Sequence, residues 1–283
     1  MLPRVESFLE VMTVKTRTRR VIYRTDDHIE APNWSPDGAS LIFNSQGLLY
    51  RLPVDGGAPE KIDTGACTAL NNDHGVSPDG RLIVISDKSQ SDALSRLSLL
   101  PAQGGEPRLI TPQGPSYWHG WSPDGKTLCY VAARGNRILN LYSCPVEGGP
   151  ETRLTEGDWM DDGPDYTPDG RFILFNSTRS GNMKLWRMGA DGADPEQLTF
   201  EDETRDWFPH PSPDGQWIVF VSFGTDVAVQ DHPANKKVTL RLMPAAGGAP
   251  EVIAHVFGGQ GTLNVPSWSP DSTRFALVSY GLR

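Results

Sequence analysis

The sequence has no apolar run approaching the roughly 18 residues that a membrane-spanning helix requires. Met1 to Lys15 show no basic segment followed by an apolar stretch, so no secretory leader is read there. A cytoplasmic address is expected, or a periplasmic one if a leader has been removed. Cysteine is scarce. Cys67, Cys129 and Cys144 are an odd number without metal-ligand spacing, which predicts free buried thiols rather than a disulfide framework. Basic residues are outnumbered, 26 against 35, leaving a net charge of −9. A nucleic-acid partner, whose phosphates demand a basic footprint, is therefore not expected, and neither is a membrane. No segment holds a sustained helical period, and no low-complexity stretch marks a linker. No serine sits in a nucleophile-elbow context, Cys67 has no evident base partner, and no calcium-loop pattern is present.

What the sequence does hold is a repeat. One tetrapeptide occurs six times: Ser35-Pro36-Asp37-Gly38, Ser77-Pro78-Asp79-Gly80, Ser122-Pro123-Asp124-Gly125, Thr167-Pro168-Asp169-Gly170, Ser212-Pro213-Asp214-Gly215 and Ser269-Pro270-Asp271-Ser272. The first residues are 42, 45, 45, 45 and 57 positions apart. A period near 45 fits one four-stranded propeller blade. Pro-Asp-Gly is a turn with a mechanism: Pro presets φ, Asp bonds the backbone ahead, and Gly accepts a positive φ. An apolar strand follows each turn, as at Ser40 to Asn44 or Phe172 to Asn176. A second strand, a Gly-containing turn such as Glu147-Gly148-Gly149 and a short outer strand complete the unit. Enrichment in β-branched and aromatic residues favours strands, and 37% hydrophobic residues suffice for a core.

The ends agree with the count. One strand, Arg274 to Tyr280, follows the last motif, and two unassigned strands, Phe8 to Val14 and Arg20 to Arg24, precede the first. Pairing them completes a sixth blade from about 264–283 plus 1–25 and closes the ring without a raw edge. The expected architecture is one all-β domain over 1–283, a six-bladed propeller of four-stranded blades.

The units Asn33-Trp34-Ser35-Pro36-Asp37-Gly38 and Gly120-Trp121-Ser122-Pro123-Asp124-Gly125 resemble the WD40-like (PD40) repeat of the TolB propeller family, over essentially the whole chain. The resemblance is specific for fold and says little about activity. Oligogalacturonate lyases resemble these repeats more distantly. That likeness implies a metal held by histidines and a glutamine at the propeller mouth, loosely matched here by Gln260.

In a propeller the first strand of each blade lines the central channel, and the segment just before it lies on the top face. Three positions before each turn the blades carry Pro32, His74, His119, Pro164, Pro209 and Pro266. Two histidines thus replace the default proline in neighbouring blades, and His210 follows one residue later in blade 5. Around them come Glu30, Asn72, Asp73, Asp161, Asp162, Asp206 and Asn264. This inventory predicts convergence on one funnel. His74, His119 and His210 would hold a divalent metal ion (Mn, Zn or Ca). Asp73, Asp161, Asp162, Asp206 and Glu30 would be ligands, orienting groups or acid–base groups. Tyr117, Trp118, Trp159 and Trp207 would offer stacking faces to a sugar, and Arg134, Arg179 and Lys88 stand in top-face hairpin loops where an anion could meet them. The long blade 5 to 6 interval adds a top-face loop at Thr225 to Lys237 and a Gly-rich connector at Phe257 to Thr262.

Two functions of different class are consistent with this. One is a small-molecule enzyme, a lyase or hydrolase acting on a carbohydrate or anionic substrate at the mouth. The other is a non-catalytic propeller binding a peptide or protein there. A paraoxonase-like esterase or lactonase is a further alternative.

Overall fold

A computed structural model describes residues 5–135 and 137–282. Five four-stranded antiparallel sheets and one three-stranded sheet form the six blades. Blade 1 runs Ile29–Trp34, Ser40–Ser45, Leu48–Pro53 and Glu60–Ile62 from channel to rim. Blades 2 to 5 repeat this order, with channel strands Leu70–Val76, Ser116–Trp121, Asp161–Tyr166 and Thr204–Pro211. In blade 6 the chain's first strand, Val5–Thr13, lies between Arg274–Leu282 and Arg19–Thr25. Nine residue pairs, from Val5–Leu282 to Thr13–Arg274, join the two ends. The channel strand of this blade is reduced to a single bridge between Trp268 and Phe275. Blade 6 is thus closed by the two expected N-terminal strands, with three regular strands rather than four. Among the described residues there is no α-helix, only the short 3-10 turn Gln260–Thr262.

The repeated turn is a small hydrogen-bond machine. In blade 3, Ser122 Oγ donates to Asp124 Oδ1 at 2.6 Å, the same carboxylate oxygen accepts Lys126 N–H at 3.1 Å, and Ser122 Oγ accepts Thr127 N–H at 2.9 Å. The other five turns repeat the pattern. It pulls the Asp37, Asp79, Asp124, Asp169 and Asp271 carboxyls below the usual range, first through the Ser or Thr hydroxyl. The fourth residue sits at φ of about +70°, as at Gly170 and Gly215, and Ser272 takes φ 60° in the sixth copy. Only glycine enters that region without steric cost.

The core lies between blades. Trp121 and Tyr130 of blade 3 pack with Val84, Leu97 and Leu99 of blade 2, and Trp268 with Val219 and Val221 of blade 5. In blades 1 to 4 the rim strands are two or three residues long, but blade 5 ends in a nine-residue strand, Glu251–Gly259. The first half of the expected Gly-rich connector, Phe257 to Gly259, is therefore part of this strand, and its second half, Gln260–Thr262, turns back toward the mouth.

The candidate site at the channel mouth

In blades 1 to 5 the channel strand breaks its ladder at a β-bulge, and the bulge decides which side chains face the mouth. Blades 1, 4 and 5 have it between Glu30 and Asn33, Asp162 and Asp165, and Trp207 and His210. In blade 3, Trp118 pairs with Tyr130 and Gly120 with Cys129, so His119 is the extra residue. In blade 2 the bulge comes earlier, between Leu70 and His74, and His74 pairs regularly with Ile85. A bulge re-aims the side chains on it. His119 consequently lines the mouth, whereas His74 does not.

The mouth is a cavity of about 640 Å³. Among its walls are Glu30, Asn72, Asp73, Tyr117, His119, Asp162, Gln260 and Asn264, all expected from the sequence, together with Lys88. At its floor, the His119 ring is buried and lies between two carboxylates. Its Nε2 is 3.2 Å from Asp162 Oδ1 and 4.0 Å from Asp73 Oδ1. Asn264 Nδ2 donates to Asp73 Oδ1 at 2.7 Å, Asn71 Nδ2 donates to Asp73 Oδ2, and Gly163 N–H donates to Asp162 Oδ1 at 2.7 Å. The imidazole stacks on Phe208 with ring centres 5.8 Å apart.

Three buried groups in contact do not titrate alike. Burial opposes charge on His119, but the hydrogen bond to Asp162 and the charges of Asp73 and Asp162 outweigh it, and its pKa is raised. Burial also works to raise Asp162, yet the bond to His119 and the attraction of His119 and His232 hold it below the usual carboxylate range. Asp73 goes the other way: burial raises it, and the pull of His119 and Asn264 does not compensate.

Several expected residues are elsewhere. His74 is fully buried with neither ring nitrogen bonded, and burial pushes its pKa down to about 3. His210 is the residue at which its strand re-enters the ladder after the bulge, and its Nδ1 is 3.0 Å from Asp165 Oδ2, away from the mouth. Asp165 lines a second cavity of about 410 Å³ that carries five of the six turn prolines and Trp34, Trp121 and Trp268. The three-imidazole set is therefore not assembled. Among the described residues, no three His, Cys, Asp or Glu side chains are placed to hold a metal ion.

Other polar groups are spent on structure. Asp161 pairs with Arg179 at 2.9 Å. Asp206 pairs with the buried Lys184 at 3.1 Å and accepts Ser222 Oγ at 2.6 Å. Arg134 is bound to Glu151, Pro115 O and Ser116. Trp118 and Trp207 are core side chains, and Trp159 stands outside the mouth cavity, over the Arg179 guanidinium. None of Asp161, Asp206, Arg134, Arg179, Trp118, Trp159 and Trp207 lines the mouth.

Four polar mouth residues were not assigned to the site from the sequence, His232 being placed only in the top-face loop Thr225 to Lys237. His232, from the long blade 5 loop, reaches in so that Nε2 is 3.7 Å from Asp162 Oδ2, its ring edge-on to Trp207 at 4.3 Å. His28 stacks on Tyr280 at 4.7 Å and lies 3.3 Å from Glu30 Oε1. Asn44 and Gln46 come from the end and tip of the blade 1 hairpin. The length of the blade 5 loop was the available signal for His232. The tight turn Gln46-Gly47, both at positive φ, was the signal for Gln46.

Known proteins agree with this architecture. The family model of the TolB beta propeller domain (PD40) matches residues 113–241. An uncharacterized protein of Agrobacterium fabrum is 51% identical over 277 residues, covering 98% of this chain and 93% of its own. The solved structure of a TolB-like protein from Agrobacterium tumefaciens is similar with a TM-score of 0.94 at 51% identity, over 99% of each chain. TolB from Acinetobacter baumannii follows at TM-score 0.65 and 17% identity, over 98% of this chain and 64% of its own. An oligogalacturonate lyase in complex with manganese gives 0.58 and 14%, over 100% and 99%. The last two share the fold alone. On the strength of full-length identity and the repeat, the chain belongs to the TolB-like six-bladed β-propeller family.

Proposed function

We propose that the channel mouth binds a small polar molecule and moves a proton on it, in an elimination or a hydrolysis. The observation that carries this is the buried His119 ring held between Asp73 and Asp162 at the floor of an open cavity. Two carboxylates driven in opposite directions from their usual range give separate roles. Asp162, held below the usual carboxylate range, favours the charged form of the imidazole. Asp73, whose environment favours its protonated form, together with His119 supplies the group that gives or takes the proton. The amides of Asn72, Asn264 and Gln260 and the Tyr117 ring orient the ligand. Of His74, His119 and His210 only His119 lines the mouth, which supports the protonic version over the metal-assisted one.

A screen of small polar compounds by thermal shift tests the reading. A stabilising compound is expected, with the shift lost in His119→Gln and in Asp162→Asn. Stabilisation that is indifferent to both variants would refute it. A peptide or protein partner seated at the same mouth is the second reading, supported by family membership. It predicts pull-down of a partner that the two variants leave intact.

A further inference from the structure

Of the three buried side-chain atoms on the mouth wall that lack a partner, one is His119 Nδ1 and two are amide oxygens, Asn44 Oδ1 and Asn264 Oδ1, and the two oxygens select a class of ligand. In blades 2 and 4 the residue nine positions after the turn Ser or Thr accepts a main-chain N–H from the next blade. Ser86 Oγ accepts Trp118 N–H at 2.9 Å, and Asn176 Oδ1 accepts Phe208 N–H at 3.0 Å. Asn44 is the same position in blade 1, and its donor would be Asp73 N–H. The early bulge of blade 2 diverts that N–H to Asn71 Oδ1 at 3.2 Å. Asn44 Oδ1 is left buried and without a partner on the cavity wall. Asn264 Oδ1 is in the same state, with its orientation fixed because Nδ2 already serves two acceptors, Asn72 O at 3.2 Å and Asp73 Oδ1 at 2.7 Å. Gln46 likewise spends its Nε2 on Asp27 Oδ1 at 2.7 Å, which leaves its oxygen as the other polar end.

Beside these acceptors stands a carboxylate. Glu30 is directly opposite Asn44 in the blade 1 ladder. It packs on the backbone of Gly261, where a Cβ would come within 2.6 Å of Glu30 Oε1. Residues from two adjacent blades, 6 and 1, thus present oxygen after oxygen to one cavity. Lys88 lines the same cavity but is exposed and lies 5.9 Å from the Tyr117 ring centre, and His28 Nε2 is 3.3 Å from Glu30 Oε1. Buried acceptors without donors cost free energy until a donor arrives. A donor-rich cation satisfies several of them and Glu30 together.

We infer that the ligand of the mouth carries a primary ammonium or guanidinium group, seated on Glu30 with the Asn44 and Asn264 oxygens as further acceptors. This rests on the small-molecule reading of the mouth and names its ligand class. Titration calorimetry on the full chain tests it with three probes: agmatine as the cation, erythritol as the neutral polyol and galacturonate as the anion. Agmatine should bind, with affinity falling roughly tenfold or more in the isosteric Glu30→Gln. Gly261→Ala, whose methyl displaces the carboxylate, should weaken it as well. Binding of galacturonate or erythritol that is lost in His119→Gln, with none of agmatine, overturns the ligand class and leaves the small-molecule reading standing. Agmatine affinity unchanged in Glu30→Gln overturns the seat. Absence of binding by all three overturns the proposal together with the reading beneath it.

Discussion

His74 and His119 occupy the same place in neighbouring repeats, and their surroundings drive them apart. His74 is buried with no partner and stays neutral until about pH 3. The unfolded chain takes up that proton near pH 6.5, so below that pH unfolding is favoured, by up to about 1.4 kcal/mol per pH unit. Stability is thus lost as pH falls from about 6.5 toward 3. Replacing the ring by an apolar side chain should flatten this dependence. Between pH 6.5 and 5, His74→Leu is expected to lose about 2 kcal/mol less than the parent, measured by denaturant unfolding at each pH; an equal loss would show that His74 finds a proton in the fold. His119 has the opposite sign. Its pKa is raised, so its contribution is present below about pH 6.5 and fades as pH rises through the folded value. Asp162→Asn removes its strongest favourable partner, and the His119 ring protons should then titrate at lower pH, read by NMR.

At the scale of strands and turns, the repeat makes a sharp claim about glycine. A Cβ at Gly215 would meet no atom within 4 Å, yet its φ is +69°. Gly215→Ala should therefore cost about 1 kcal/mol from backbone conformation alone, a fall in Tm of about 2–4 °C by calorimetry; an unchanged Tm would mean that the turn relaxes to negative φ. This regularity is why the blades were legible in the sequence: a six-fold turn with fixed chemistry sets the strand that follows it, and Arg274 to Tyr280 with Phe8 to Val14 was recoverable as a closing pair. The mouth was legible only in part. Glu30, Asn72, Tyr117, Asp162 and Asn264 sit five positions before their turns and line the cavity, so counting back from the turn worked there. Trp207, at the same position, is core. His74 and His119 share a position too, but a bulge shifted within blade 2 turns one ring inward and leaves the other in the ladder. No residue type marks such a shift, and a one-residue slip exchanges the faces of a strand. His28 and His232 arrive from outside the repeat, where alignment of the copies has nothing to compare.

The whole ring depends on how its last blade is closed. Val5–Thr13 lies in the middle of a three-stranded sheet, with Leu9, Val11 and Met12 buried and hydrogen-bonded neighbours on both sides. Removing it would strip Arg274–Leu282 of its pairing, bare Ala276, Val278 and Tyr280, and detach Arg19–Thr25 as well. Tyr280 also donates from its hydroxyl to Ile29 O at 2.9 Å and stacks on His28, so damage at the seam reaches the wall of the mouth. Since unpaired strand edges associate, a chain lacking residues 1–25 is expected to unfold at a markedly lower temperature and to aggregate on size exclusion. A synthetic peptide spanning residues 5–25 should restore the parent's elution volume and much of the melting temperature when added in excess, because binding to the folded form alone stabilises it by mass action. A truncated chain that melts like the parent would show that the five internally complete blades hold the ring without the seam. The distinction matters for the mouth, because Glu30, Asn44 and Asn264 come from the two blades on either side of that closure.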